Sequence, residues 1–233
     1  MNESTYTLRT IARIHTDFPA KFGIPRQAGL AEELEGLIVF EPAFRDPEAL
    51  RGIEGFSHLW LIWQFSEALR AGWSPTVRPP RLGGNTRMGV FATRSPFRPN
   101  ALGLSCVRLI AAEDDPALGR VLRVAGADLM DGTPIYDIKP YLPYADAKPG
   151  ARGGFAPDGG KTLRVEALPG ALSGFPPEKL PALKAVLARD PRPRYQDDPA
   201  RVYGMAFAGF NVRFRVEGDT LTVTEALQMH SET

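Results

Sequence analysis

Seven arginines (Arg70, Arg78, Arg81, Arg87, Arg94, Arg98 and Arg108) stand between Glu67 and Glu113, with no lysine and no acidic residue among them. A guanidinium presents a planar fork that grips a carboxylate or phosphate through two hydrogen bonds. On a chain of formal net charge +1, this concentration points to an anionic partner met on one face. A solvated basic surface is the plain alternative. Further polar chemistry gathers in four short segments. These are Gly23-Ile24-Pro25-Arg26-Gln27; Phe56-Ser57-His58-Leu59-Trp60; Pro79 to Asn85 running into Gly89 to Asn100; and Asp128 to Pro134 with Asp137-Ile138-Lys139-Pro140-Tyr141.

Other chemistries find little support. His15, His58 and His230 are far apart, so no metal site is expected. The single cysteine, Cys106, makes no internal disulfide and suits a reducing compartment. Gly83-Gly84 leads into Asn85 and Arg87 in a strand context, unlike the glycine-rich strand-to-helix turn of doubly wound nucleotide-binding folds. The apolar run at Leu59–Phe65 is broken by Gln64, far short of the roughly 20 residues of a membrane helix. Met1-Asn2-Glu3-Ser4 lacks the basic start of a secretory signal. The expectation is a cytoplasmic protein without a membrane span.

The elements that must position these residues read as short strands separated by Gly and Pro turns. Tyr6–Ile14, Gly36–Phe40, Ser57–Phe65, Arg87–Ala92, Leu104–Ala111 and Arg120–Asp128 fit strands, and Asp46–Gly52 a helical turn. No long amphipathic helix intervenes, which favours a mainly antiparallel β-barrel. Asp146–Gly160 holds five glycines and two prolines and reads as a linker. Beyond it come a strand at Thr162–Ala167, a helix near Glu178–Arg189 and two or three closing strands. Asn211–Val216 and Thr220–Thr224 pair as a hairpin through Glu217-Gly218-Asp219. The predicted class is mainly β: a barrel domain over residues 1–147, a linker over 148–160 and a small α+β domain over 161–233.

Together the four segments resemble the TrmO/TsaA-like family, and Ala92-Thr93-Arg94-Ser95-Pro96-Phe97-Arg98-Pro99-Asn100 is the most specific of them. Asp190-Pro191-Arg192-Pro193 and Phe210-Asn211-Val212-Arg213 resemble the extra domain of bacterial members, so the likeness spans nearly the whole chain. The resemblance implies a β-barrel methyltransferase that forms a homodimer and takes S-adenosylmethionine as methyl donor. Its implied substrate is a tRNA bearing N6-threonylcarbamoyladenosine just 3′ of the anticodon. By position in the motifs, Pro25, Arg26, Gln27, Ser66, Glu67, Arg94, Leu104, Asp128, Leu129, Met130 and Asp131 are the expected donor contacts. Ser66-Glu67 stands where many relatives carry a His-containing pair, so a role needing imidazole does not transfer.

Methyl transfer needs the N6 lone pair in line with the methyl group, and N6 must shed a proton. Asp137 is the candidate acceptor. Lys139 or Arg98 would hold the threonyl carboxylate, and Tyr141 or Phe97 would stack on the base. Phe97, Arg98, Asn100, Arg213 and Arg215 are the candidate RNA contacts. Bland roles suit the same types: Phe97 as a core ring, Asp137 and Lys139 as a surface pair, Arg213 and Arg215 as a wet hairpin face. His58 reads as structural, Trp60 and Trp63 as core or dimer contacts, and Cys106 as packing. Two other functions fit the sequence, a small-molecule methyltransferase and a non-catalytic RNA-binding protein. Donor affinity separates the second from an enzyme, and salt-sensitive competition by bulk tRNA separates the first.

Overall fold

The structure, a computed structural model, describes residues 6–68, 72–157, 159–193 and 198–229; Arg70 and His230 lie outside the described residues. The chain lays down β1 (Ala12–His15), β2 (Glu35–Phe40) and β3 (His58–Gln64). A two-stranded arm follows, β4 (Thr76–Val77) and β5 (Met88–Gly89). Then come β6 (Leu102–Asp115), β7 (Gly119–Ala125), β8 (Thr133–Pro140) and a one-turn helix α1 (Pro143–Asp146). Six strands close a barrel in the order β1-β2-β7-β6-β3-β8, and every neighbouring pair is antiparallel.

Period-two alternation fixes which side chains face inward. Along β3, Leu59, Leu61 and Trp63 are buried, while His58, Trp60, Ile62 and Gln64 face outward. They meet Ile14, Ile38, Val107, Leu122, Val124 and Ile135 in one core. Each such buried side chain contributes roughly 1.5–3 kcal/mol. Outside, strand register sets Asp137, Ile62 and Leu104 in one row and Lys139, Trp60 and Cys106 in the next.

Beyond the barrel lie β9 (Arg164–Ala167), α2 (Leu180–Ala188), β10 (Tyr203–Phe207), β11 (Phe210–Glu217) and β12 (Thr220–Gln228). The sheet order is β10-β11-β12-β9, with only β12 and β9 parallel. Helix α2 buries Ala182, Leu183, Val186 and Leu187 against this sheet. The same core takes in Phe18, Ala31 and Leu34 from the segment between β1 and β2. The two halves therefore share packing. Among the described residues, no helix is long and apolar enough to cross a membrane.

Several elements differ from the sequence reading. The Tyr6–Ile14 strand begins only at Ala12, opposite Phe40, where pairing starts. The Arg87–Ala92 strand shrinks to Met88–Gly89 plus a 3-10 turn at Val90–Ala92, since only Val90 has a buried side chain to anchor it. Strand β8 carries no strand signature in the sequence, because Pro134 near its start and Pro140 at its end argue against one. The predicted Glu178–Arg189 helix is a 3-10 turn at Pro177–Lys179 followed by α2.

One position couples barrel packing to the rim. Gly103 on β6 pairs with Trp63 on β3, and a Cβ at Gly103 would sit inside the Trp63 indole. Gly103→Ala should therefore lose about 1–3 kcal/mol of stability, read by equilibrium urea unfolding. An unchanged midpoint would show that the indole has room to turn aside.

Candidate functional site

A groove of about 1070 Å³ opens at the barrel rim. One wall is the segment between β1 and β2, contributing Ile24, Pro25, Arg26 and Gln27. The facing wall is the loop between β5 and β6, from Thr93 to Asn100. The end of β3 and the turn after it add Gln64, Phe65, Ser66 and Glu67. The start of β6 adds Leu104, and Asp128 and Met130 lie at the floor.

Asp128 decides the electrostatics of the floor. Burial pushes its carboxyl pKa up; a Ser105 hydrogen bond, backbone N–H groups of Asp128 and Ala28, and Arg94 oppose that rise. The Trp63 indole N–H donates to Ser105 Oγ at 2.9 Å, and the Ser105 hydroxyl donates to Asp128 Oδ1 at 2.5 Å. Ser105 is itself 2% exposed, so this relay runs from the barrel interior to the groove.

The walls are tied to each other and to the C-terminal half. Arg94 donates to Gln27 Oε1, and Gln27 Nε2 donates to the Arg26 carbonyl. Arg26 Nη2 donates to the Arg192 carbonyl at 3.2 Å. Arg192 in turn grips Asp190 through Nε at 2.9 Å and Nη2 at 3.0 Å. Asp190 takes φ +52°, an unusual left-handed value that Asp tolerates better than most residues. The Pro25 segment lacks regular structure, and the C-terminal half holds the chain on either side of it. Phe18 meets Phe207 edge-on at 5.1 Å, Lys179 Nζ pairs with Asp17 at 2.7 Å, and Arg189 Nε donates to the Leu30 carbonyl at 2.7 Å. Gly23, at φ +96°, passes so close to Met205 that a Cβ has no room.

The groove brings together Pro25, Arg26, Gln27, Ser66, Glu67, Arg94, Leu104, Asp128 and Met130 from the expected donor contacts, and Phe97, Arg98 and Asn100 from the expected RNA contacts. Leu129 instead fills the barrel core. Asp131 turns to His15 Nδ1 (3.2 Å) and the Thr16 N–H (3.1 Å). Arg98 braces its own loop through the Thr93 and Ser95 carbonyls. Asp137 and Lys139 form an ion pair of 2.9 Å on the outer barrel face, and Tyr141 tilts against Trp60 and His58 there. None of these three lines the groove. Arg213 and Arg215 lie on the exposed side of β11, Arg213 paired with Glu225 at 3.2 Å.

Sequence reasoning missed Ser105 and the polar duty of Trp63. The available signal was the Gly103-x-Ser105 alternation opposite an inward tryptophan. It also missed Gln64, which lines the groove and accepts from the Tyr136 hydroxyl at 2.7 Å.

Comparison with known proteins agrees along the chain. Residues 13–147 match the tRNA-methyltransferase O N-terminal domain, and residues 176–228 match the TrmO C-terminal domain. The chain is 40% identical over 224 residues to a tRNA (adenine(37)-N6)-methyltransferase of Escherichia coli K12, covering 91% of this chain and 94% of that one. It is 51% identical over 163 residues to a protein of the same name from Eikenella corrodens, covering 70% and 92%. A crystal structure of TrmO from Pseudomonas aeruginosa superposes with a TM-score of 0.80 at 34% identity, covering 96% of this chain and 98% of that one.

The raised Asp128 pKa makes the chain's stability depend on pH. The folded chain keeps a proton on Asp128 at pH values where the unfolded chain has lost it. This group's contribution to stability therefore falls as pH rises from about 3.9 through the raised value. Asp128→Asn removes that loss and keeps an oxygen for Ser105. The variant should melt higher than the parent near pH 7, with a smaller gap near pH 4. Equal gaps in thermal melts at the two pH values would contradict the assignment.

Proposed function

Because the chain belongs to the tRNA-methyltransferase O family, we propose that its rim groove is the place where the methyl donor and the target adenosine meet. The activity is S-adenosylmethionine-dependent methylation of N6 of the adenine at position 37 of tRNA. The observation that carries the assignment to the groove is the desolvated Asp128 carboxylate at its floor, with Arg94 and Arg26 on its walls.

The residues present fit the donor. Asp128 accepts hydrogen bonds from ribose hydroxyls or the ammonium, and the guanidinium of Arg94 or Arg26 meets the carboxylate. Leu104, Met130, Ile24 and Phe65 give an apolar bed for the adenine. S-adenosylmethionine supplies an electrophilic methyl group on a sulfonium. The protein's own task is to orient the two reactants and to receive a proton. Ser66 and Glu67 lie at the groove mouth, where many relatives have imidazole, and offer a carboxylate and backbone groups instead.

The groove also opens onto a surface suited to assembly. The outer face of β6, β3 and β8 carries Leu104, Ile62 and Trp60 alongside the Asp137 and Lys139 pair. Leu104 belongs to this face and to the groove, and it is 56% exposed. A two-fold pairing over this face would cover its apolar row. It would also bring the Asp137 and Lys139 of one copy toward the groove of the other. Asp137 is then the proton acceptor, Lys139 the partner of the threonyl carboxylate, and Tyr141 an aromatic wall. We retain the division into residues 1–147, 148–160 and 161–233, a cytoplasmic setting and N6-threonylcarbamoyladenosine as the modified target within this reading.

Incubating the protein with S-adenosylmethionine and tRNA, then digesting to nucleosides for mass spectrometry, tests it. The expected product is N6-methylated threonylcarbamoyladenosine, formed on tRNA that carries the threonylcarbamoyl group and absent on tRNA that lacks it. Equal methylation of both tRNAs would overturn the specificity. A methyl group on another base would overturn the substrate.

A further inference from the structure

Two large aromatic side chains stand in water beside the groove, and the donor site does not use the outer one. Trp73 is 52% exposed and Phe91 is 72% exposed, with ring centroids 6.0 Å apart and planes at 31°. Phe91 lines the groove, whereas Trp73 lies beyond its lining and extends the ring surface outward. Burying rings of this size is a main source of folding free energy, yet these two are held out on the arm. Backbone and side-chain hydrogen bonds hold the described part of the arm together. Strands β4 and β5 pair, and the Val90 N–H donates to the Pro75 carbonyl at 2.9 Å. Thr93 Oγ1 donates to the Val90 carbonyl at 2.8 Å, and Val90 is 1% exposed. The rings are presented by a scaffold.

The charge of the arm indicates what covers them. Arg78 and Arg87 are exposed on it, and the chain from Ala68 to Ala112 has no aspartate or glutamate. Single-stranded RNA pairs flat π faces with an anionic backbone, and this surface offers aromatic faces with guanidinium groups beside them. A second copy of the chain fits less well here. It would have to bring carboxylates to these arginines, and the apolar outer face of β3, β6 and β8 already offers it a surface. An enzyme that acts on a base must also draw that base out of its stack. The nucleotide next to it then shows a bare face.

We propose that Trp73, backed by Phe91, is a stacking platform for a nucleotide adjacent to the target adenosine in the anticodon loop. Trp73 is thus a substrate-positioning residue that acts on RNA affinity and leaves the donor to other groups. The proposal rests on the tRNA methylation described above and deepens it by naming how the loop is held.

The test uses the full-length enzyme and the Trp73→Ala and Trp73→Phe variants. Methylation kinetics with tRNA, donor calorimetry and sedimentation velocity are measured on each. The expected result for Trp73→Ala is a rise of about tenfold in KM for tRNA, the scale of one lost base–aromatic stack. The kcat, donor affinity and oligomeric state hold, and Trp73→Phe keeps most of the RNA affinity. Adding an anticodon stem-loop RNA should quench parent tryptophan fluorescence, with the larger share of that quench lost in Trp73→Phe. An unchanged KM and quench would overturn the platform. A change of oligomeric state in Trp73→Ala would overturn it in favour of a protein contact. Failure of the parent enzyme to methylate any tRNA would sink the underlying reading, and the platform with it.

Discussion

A carboxylate withdrawn from water must be met by donors, or it gives up its charge. At the floor of the rim groove that requirement falls on Asp128, whose burial is offset in part by Ala28, Arg94 and its own backbone and in part from inside the barrel. Trp63 directs its indole N–H onto Ser105, and Ser105 directs its hydroxyl onto Asp128. The indole lies flat where Gly103 has no side chain. A single cross-strand pair, Trp63 with Gly103, therefore links barrel closure to the polarity of the site. Preorganised polar groups of this kind hold a charged ligand without rearranging when it arrives.

The second constraint is the irregular segment carrying Pro25, Arg26 and Gln27. A loop without backbone ladders must be held by side chains and by another element. The C-terminal half supplies both. Its core takes Phe18, Ala31 and Leu34, and the Asp190-to-Arg192 turn offers a carbonyl to Arg26. That half therefore shapes one wall of the groove as well as adding arginines on β11. Distance alone would have hidden this role, since the Arg26 and Arg192 positions are 166 residues apart.

Much of this was legible in the sequence, for identifiable reasons. Period-two alternation exposed β3, and the turn at Glu217-Gly218-Asp219 exposed the β11–β12 hairpin. Motif position alone points to Arg94, Leu104 and Asp128 as one site, and all three line the groove. The proline-bracketed β8 escaped because strand signals penalise proline wherever it falls, while Pro134 and Pro140 lie at that strand's ends. Leu129 and Asp131 share a segment with Asp128, yet Leu129 enters the core and Asp131 turns back to His15. A motif marks a segment, but only the fold says which side chain of it faces the ligand. Ser105 is easy to pass over for the opposite reason: an inward serine on an apolar strand looks like filler unless the glycine beside it and the tryptophan opposite are weighed with it.

Donor binding in the groove, as proposed, depends most on the Trp63–Ser105–Asp128 relay. Isothermal titration calorimetry of S-adenosylhomocysteine into the parent protein and into Ser105→Ala measures that dependence directly. The relay predicts clear binding heat for the parent and about tenfold weaker affinity for the variant, the scale of one hydrogen bond to a charged group. Equal affinities, or a parent that gives no heat, would contradict it.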